Sequence, residues 1–258
     1  MKVDPRVQDH QSLYKYSKEG KLLYWPAGYP IFVWPLAAIS ISKFVYFLGL
    51  IQSTLFAYAT FLFTRELKKT NISFLAVAIS FLISFNPTLS LSTLAVGYEA
   101  PVAALLMISM AYLIRDLSAQ SDKISLKNII IIALSLSVSS FLQPRILLFG
   151  VAFIFFWCLK KTGSKARVQL LGLTLVLVML FPSVLILRNI VANDKATIST
   201  NLGVTMRIGA GDDATGGYGV PKTPIPCPPK SKGQEVTDNQ IVGCVLKWYL
   251  SNPGKSAQ

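Results

Sequence analysis

Apolar residues run in long blocks along this chain, broken by short polar intervals. The blocks fall near residues 44–64, 72–87, 92–114, 128–142, 145–159 and 168–187. A helix needs about 20 apolar residues to cross the hydrocarbon core of a bilayer, so the pattern predicts about six membrane spans. An earlier apolar stretch, 30–41, is too short to span and contains Pro35. It reads as a re-entrant or interfacial helix. The block at 72–87 ends at Asn86-Pro87, where proline disfavours helix in the residue before it. Blocks 128–142 and 145–159 are separated only by Gln143-Pro144-Arg145, which allows a tight hairpin or one long broken helix. Pro182 predicts a kink in the last block. From Arg188 the chain turns polar, passes a proline-rich run PKTPIPCPPK, and reaches an amphipathic segment near 237–251. There Ile241, Val245, Trp248 and Tyr249 form one stripe, with Thr237 or Asp238 as the expected N-cap.

The intervals between blocks alternate in charge. Those at 65–71, 115–127 and 160–167 hold Arg65, Lys68, Lys69, Arg115, Lys123, Lys127, Lys160, Lys161, Lys165 and Arg167; those at 88–91 and 143–145 hold only Arg145. Lys and Arg stay preferentially on the cytoplasmic side. The alternation predicts an all-α multi-pass protein of the inner membrane, favours the hairpin at 143–145, and puts both the first 29 residues and the tail on the non-cytoplasmic side. A polar opening segment with five basic residues does not cross a bilayer unaided. The expectation is therefore an apolar helix ahead of Met1 and further chain beyond Gln258. Three regions follow: an outer-face loop and interfacial helix at 1–43, a transmembrane bundle at 44–187, and an outer-face loop with a short helix at 188–258.

Composition agrees with this pattern. Hydrophobic residues make up 52% of the chain and charged residues only 14%, less charge than a soluble domain carries. The net charge of +13 is explained by topology and attraction to anionic lipid, so no nucleic-acid partner is expected. Cys227 and Cys244 both fall in the exported tail, where a disulfide between them could persist; Cys158 lies at the cytoplasmic end of a span.

Ionisable groups beside membrane spans are costly and mark candidate function. In this topology Asp4, Asp9, Glu99, Arg145 and Arg188 gather at the outer face. Arginine grips phosphate through a bidentate fork, and a carboxylate can act as general base toward a hydroxyl, so the set suits a lipid-linked phosphate. Solvated loop residues (Asp9, His10), a helix-end acid (Glu99) and interface anchors (Arg145, Arg188) are the plainer alternatives. Gly209-Ala210-Gly211 and Gly216-Gly217 read as tight turns, and Asp212-Asp213 is a poor metal cage.

Several segments in order resemble the membrane glycosyltransferases of the GT-C fold, in particular bacterial relatives of dolichyl-phosphate-mannose protein mannosyltransferases and lipid A aminoarabinose transferases. They are Asp9 with Tyr14, Gly20 and Pro26-Ala27-Gly28-Tyr29-Pro30; Asn86-Pro87; Gly97-Tyr98-Glu99-Ala100; Gln143-Pro144-Arg145; Arg188-Asn189; Ser199-Thr200-Asn201; Gly203; Thr215-Gly216-Gly217-Tyr218; and Trp248-Tyr249 with Asn252-Pro253. The resemblance implies a GT-C-like helical bundle that transfers a sugar from a polyprenyl-phosphate donor to a protein, lipid or glycan acceptor. It implies Asp9 as catalytic base, with Asp4 as the alternative because His10 follows Asp9 where relatives often carry a second acid. His10, Tyr14, Tyr29, Glu99, Arg145, Arg188 and Asn201 become the substrate-binding set. No metal ligand is assigned, and a divalent metal is left open. The competing readings are a lipid-linked glycan flippase or transporter, and a glycan polymerase.

Overall fold

The computed structural model describes residues 27–40, 42–70, 73–118, 125–161, 164–193, 196–198, 202–211, 225 and 238–252. Among these residues the regular structure is helical, with no strand. The chain divides into two compact units. One holds Met1–Leu22 and Pro26–Ile198, the other Leu23–Trp25 and Ser199–Gln258.

In the first unit the helices are α1 (Gly28–Ile39), α2 (Phe44–Leu67), α3 (Ser73–Ser84), α4 (Pro87–Ser92), α5 (Glu99–Ser118), α6 (Leu126–Leu142), α7 (Ile146–Lys161) and α8 (Ser164–Asn193). Among the described residues, three stretches are long and apolar enough to cross a membrane: α2, α5 and the Leu170–Val191 part of α8. The shorter apolar helices include α1, α3 and α6. Two of the predicted blocks differ in their helical bounds. Proline marks both. The block at 72–87 stops at Ser84, and Pro87 opens a separate short helix, α4, whose N-cap Asn86 accepts the Leu89 N–H at 3.0 Å. The block expected from 92 becomes helix only at Glu99, with Pro101 in the first turn, where a missing N–H breaks no helical hydrogen bond.

The α2 and α5 helices run side by side in the same direction. Near their starts Gln52 Nε2 donates to Ala95 O at 3.2 Å, and near their ends Arg115 Nη2 donates to Glu66 Oε1 at 2.5 Å. The bend at Gln143-Pro144-Arg145 makes a hairpin. Ile132 and Leu136 of α6 share a buried core with Ile154 and Trp157 of α7, completed by Leu170 and Val178 of α8. One continuous helix would hold these pairs far apart. The α8 helix then returns along α6, where Phe181 packs edge-on against Phe141 at 5.8 Å. Beside Pro182, the Phe181 N–H donates to the buried Ser137 Oγ at 3.0 Å. The buried Ser139 and Ser140 of α6 are satisfied within the helix, each donating to a carbonyl one turn back.

Large apolar side chains also cover the outside of this unit. Tyr46, Leu50 and Phe61 on α2, Phe74 and Phe81 on α3, Phe156 on α7, and Val176 and Leu187 on α8 are all exposed. Apolar surface on this scale marks contact with lipid or another apolar partner.

In the second unit, α9 (Leu202–Ile208) packs on α10 (Asp238–Ser251). Ala210, Ile225, Ile241 and Val245 form the core, with Trp248 and Tyr249 against it, as the stripe predicts. Asp238 does its capping across elements, accepting the Gly203 N–H at 2.8 Å. Tyr249 donates its hydroxyl to Gly209 O at 3.1 Å, and Gly211 holds φ 144°, in keeping with the turn reading. Cys244 is disulfide-bonded; Cys227 lies outside the described residues.

Candidate functional site

Four of the sequence-assigned residues, Tyr29, Glu99, Arg145 and Arg188, lie toward one end of the first unit. The end is built by the start of α1, the first half of α2, the turn before α5, the α6–α7 bend and the close of α8.

Gly28 sets α1 in place. A Cβ there would lie 2.6 Å from the Phe141 carbonyl carbon and closer still to its oxygen. This approach carries Tyr29 into the core with Phe44, Leu48, Val102 and Leu185. The Tyr29 ring meets Tyr98 edge-on at 6.3 Å. Burial pushes the Tyr29 hydroxyl above its ordinary pKa, and the Glu99 charge adds to the shift; the Gly97 backbone and the Gln52 side chain oppose it.

The turn before α5 is pinned to α2 by side chains. Besides the Gln52–Ala95 bond, Ser53 Oγ donates to Thr93 Oγ1 at 3.1 Å. Glu99 is exposed at the first position of α5, where a negative charge is favoured by the helix dipole. Its carboxylate folds back over Gly97, so close that a side chain at that position would displace it.

Arg145 is exposed at the α6–α7 bend. Arg188 lies half-buried near the end of α8, and its Nη1 donates to Asn189 Oδ1 at 2.5 Å. The buried Asn189 donates in turn to Thr197 O at 2.7 Å and Ile198 O at 3.0 Å. That pair of bonds folds the chain back after α8 and fixes the base of the arginine. The result is one end where an exposed carboxylate and two guanidiniums, one exposed and one half-buried, could meet an anionic headgroup and a hydroxylated acceptor, while Tyr29 stays in the core. Glu99 and Arg145 share this end without an ion pair between them among the described residues.

Asp4, Asp9, His10, Tyr14 and Asn201 lie outside the described residues. No group of three or more His, Cys, Asp or Glu side chains converges as a metal site among those described.

The opposite end of the unit holds polar residues that the sequence reading passed over. Glu66 is buried, and Arg65, Lys69 and Arg115 all reach its carboxylate. Asp116, also buried, accepts from Trp157 Nε1 at 2.9 Å and Asn128 Nδ2 at 3.3 Å. Both acids sit in the basic intervals, where they look like ordinary solvated charge. Their nearness to the ends of apolar blocks was the available signal. Gln52, a lone amide inside LGLIQSTLF, carried a similar one.

No protein-family model, curated protein or solved structure matches the chain.

Proposed function

We propose that the chain is a multi-pass inner-membrane glycosyltransferase that moves a sugar from a polyprenyl-phosphate donor to an acceptor at the non-cytoplasmic face. One observation carries the reading: Glu99, Arg145, Arg188 and Tyr29 collect at the end of the helical unit opposite the basic cluster of Arg65, Lys69 and Arg115. If the positive end faces the cytoplasm, the carboxylate and the two separate arginines face outward, where a lipid-linked donor presents its phosphate.

In this mechanism a carboxylate of the opening segment, Asp9 by resemblance or Asp4, takes the proton from an acceptor hydroxyl. The oxygen attacks the anomeric carbon. The bond from that carbon to the phosphate oxygen breaks, and polyprenyl phosphate leaves with the electron pair. Arg145 and Arg188 stabilise the charge developing on the phosphate, and Glu99 positions donor or acceptor.

The test is transfer of labelled sugar by the reconstituted protein. Asp9→Asn abolishes transfer and leaves the helical content unchanged; full activity in that variant refutes Asp9 as base. Sugar crossing vesicles with no new glycosidic bond refutes the transferase and favours transport.

A further inference from the structure

The end of the first unit remote from the candidate site is more than a topology signal. Glu66 is 1% exposed, while Arg65, Lys69 and Arg115 around it are 43%, 56% and 32% exposed. One buried carboxylate therefore gathers three cations whose outer surfaces stay open, and the exposed Lys68 adds a fourth. The geometry is specific. Arg65 Nη2 and Arg115 Nη2 both donate to the same oxygen, Glu66 Oε1, at 2.9 and 2.5 Å, and Lys69 Nζ reaches Oε2 at 2.7 Å. The guanidiniums are steadied by rings: Arg115 lies 4.6 Å from the Tyr112 centroid and Arg65 lies 5.8 Å from that of Phe61.

A single carboxylate cannot neutralise four cations. It fixes two arginines and a lysine in one place, and even with the neighbouring Asp116 counted the four cations outnumber the acids there. Two held guanidiniums beside an ammonium suit a phosphate oxygen group. The neighbouring surface is apolar. Phe61 on α2 and Phe74 at the start of α3 are both exposed, and α2 and α5 are both of membrane-spanning length. Cations next to an acyl-compatible wall match a phosphate that carries its own hydrocarbon.

We propose that this end binds the headgroup of an anionic phospholipid, with Glu66 as the internal brace that aligns Arg65, Lys69 and Arg115 toward it. The site rests on the membrane placement of the chain and is independent of the transferase chemistry.

The test places the full chain in nanodiscs of phosphatidylcholine with or without phosphatidylglycerol, and measures lipid retained through purification by native mass spectrometry. Phosphatidylglycerol is retained in preference to phosphatidylcholine. The double variant Arg65→Gln/Lys69→Gln keeps the Arg115–Glu66 pair, and so the fold, yet loses retention roughly tenfold, since each cation near an anionic lipid surface contributes appreciably. Lys43→Gln, an exposed cation at the other end, retains phosphatidylglycerol as the parent chain does. Equal retention of both lipids overturns the proposal, as does equal loss in Lys43→Gln. Displacement of phosphatidylglycerol by millimolar inorganic phosphate overturns the lipid as ligand. A chain that enters neither disc overturns the membrane reading itself, and is told apart from the other outcomes by its failure to incorporate.

Discussion

Trp157 donates its indole N–H to the carboxylate of Asp116 across 2.9 Å, and through this bond α7 is tied to α5. Asn128 of α6 donates to the other oxygen, so one buried acid joins three helices. Trp157→Phe removes the donor together with part of a fully buried ring. A hydrogen bond to a charged group contributes about 1.5–3 kcal/mol, so the variant unfolds at lower denaturant. Asp116→Leu removes both bonds but also the buried charge, and is expected to cost less than Asp116→Ala, which adds a cavity. Equilibrium unfolding in detergent ranks the three variants; an unchanged midpoint for Trp157→Phe removes the bond's structural role.

The Glu66–Arg115 pair calls for a double-mutant cycle. Glu66→Gln and Arg115→Gln each leave partners without full compensation, so each destabilises. Removing both costs less than the sum. A coupling of about 1–3 kcal/mol is expected, with added salt eroding only part of it because Glu66 is buried. Strict additivity means the contact carries no energy.

Gly28 has no room for a side chain, and the obstacle is Phe141 backbone, which cannot rotate aside as a side-chain tip can. Gly28→Ala therefore lifts α1 from α6 at a cost of about 1–3 kcal/mol. Limited proteolysis near Ser40 becomes faster and Tyr29 becomes reactive to a phenol-directed reagent. Gly97→Ala, by contrast, meets only the flexible Glu99 carboxylate. It moves the acid at little cost in stability, and lowers transfer if Glu99 positions substrate.

Sidedness is testable with single cysteines in a background lacking the native ones. Arg145 and Lys68 stand at opposite ends of the first unit. A membrane-impermeant thiol reagent added outside intact spheroplasts labels Arg145→Cys and spares Lys68→Cys, which reacts only after lysis. Labelling of both from one side removes the transmembrane arrangement.

In the second unit, a Cβ on Gly203 would sit 2.6 Å from Asp238 O and 2.8 Å from the Ile241 Cβ. Gly203→Ala should part α9 from α10, raising Trp248 solvent exposure. A fluorescence maximum identical to the parent's refutes the contact.

Much of this architecture was legible along the chain. The blocks around 44–64 and 168–187 became α2 and α8, and the stripe of Ile241, Val245, Trp248 and Tyr249 faces a core as its spacing requires. Helix periodicity and proline are local properties, so neighbouring residues are enough to specify them. Helix ends were read less well. Asn86 and Pro87 together start α4 where a single block was expected to close, and α9 went unforeseen because seven residues give too little periodicity. Arg145 and Lys68 stand at opposite ends of the first unit because consecutive helices joined by short links run back and forth.

Which distant side chains meet is a different matter. Arg115 reaches Glu66 from 49 residues away, and Trp157 reaches Asp116 from 41. Such pairings depend on how each helix is rotated about its axis and which neighbours it chooses, and both are settled by the packing of many apolar surfaces at once. Charge pattern alone leaves Glu66 and Asp116 as ordinary acids in basic intervals; only the assembled helices bury them and make them the braces of one end.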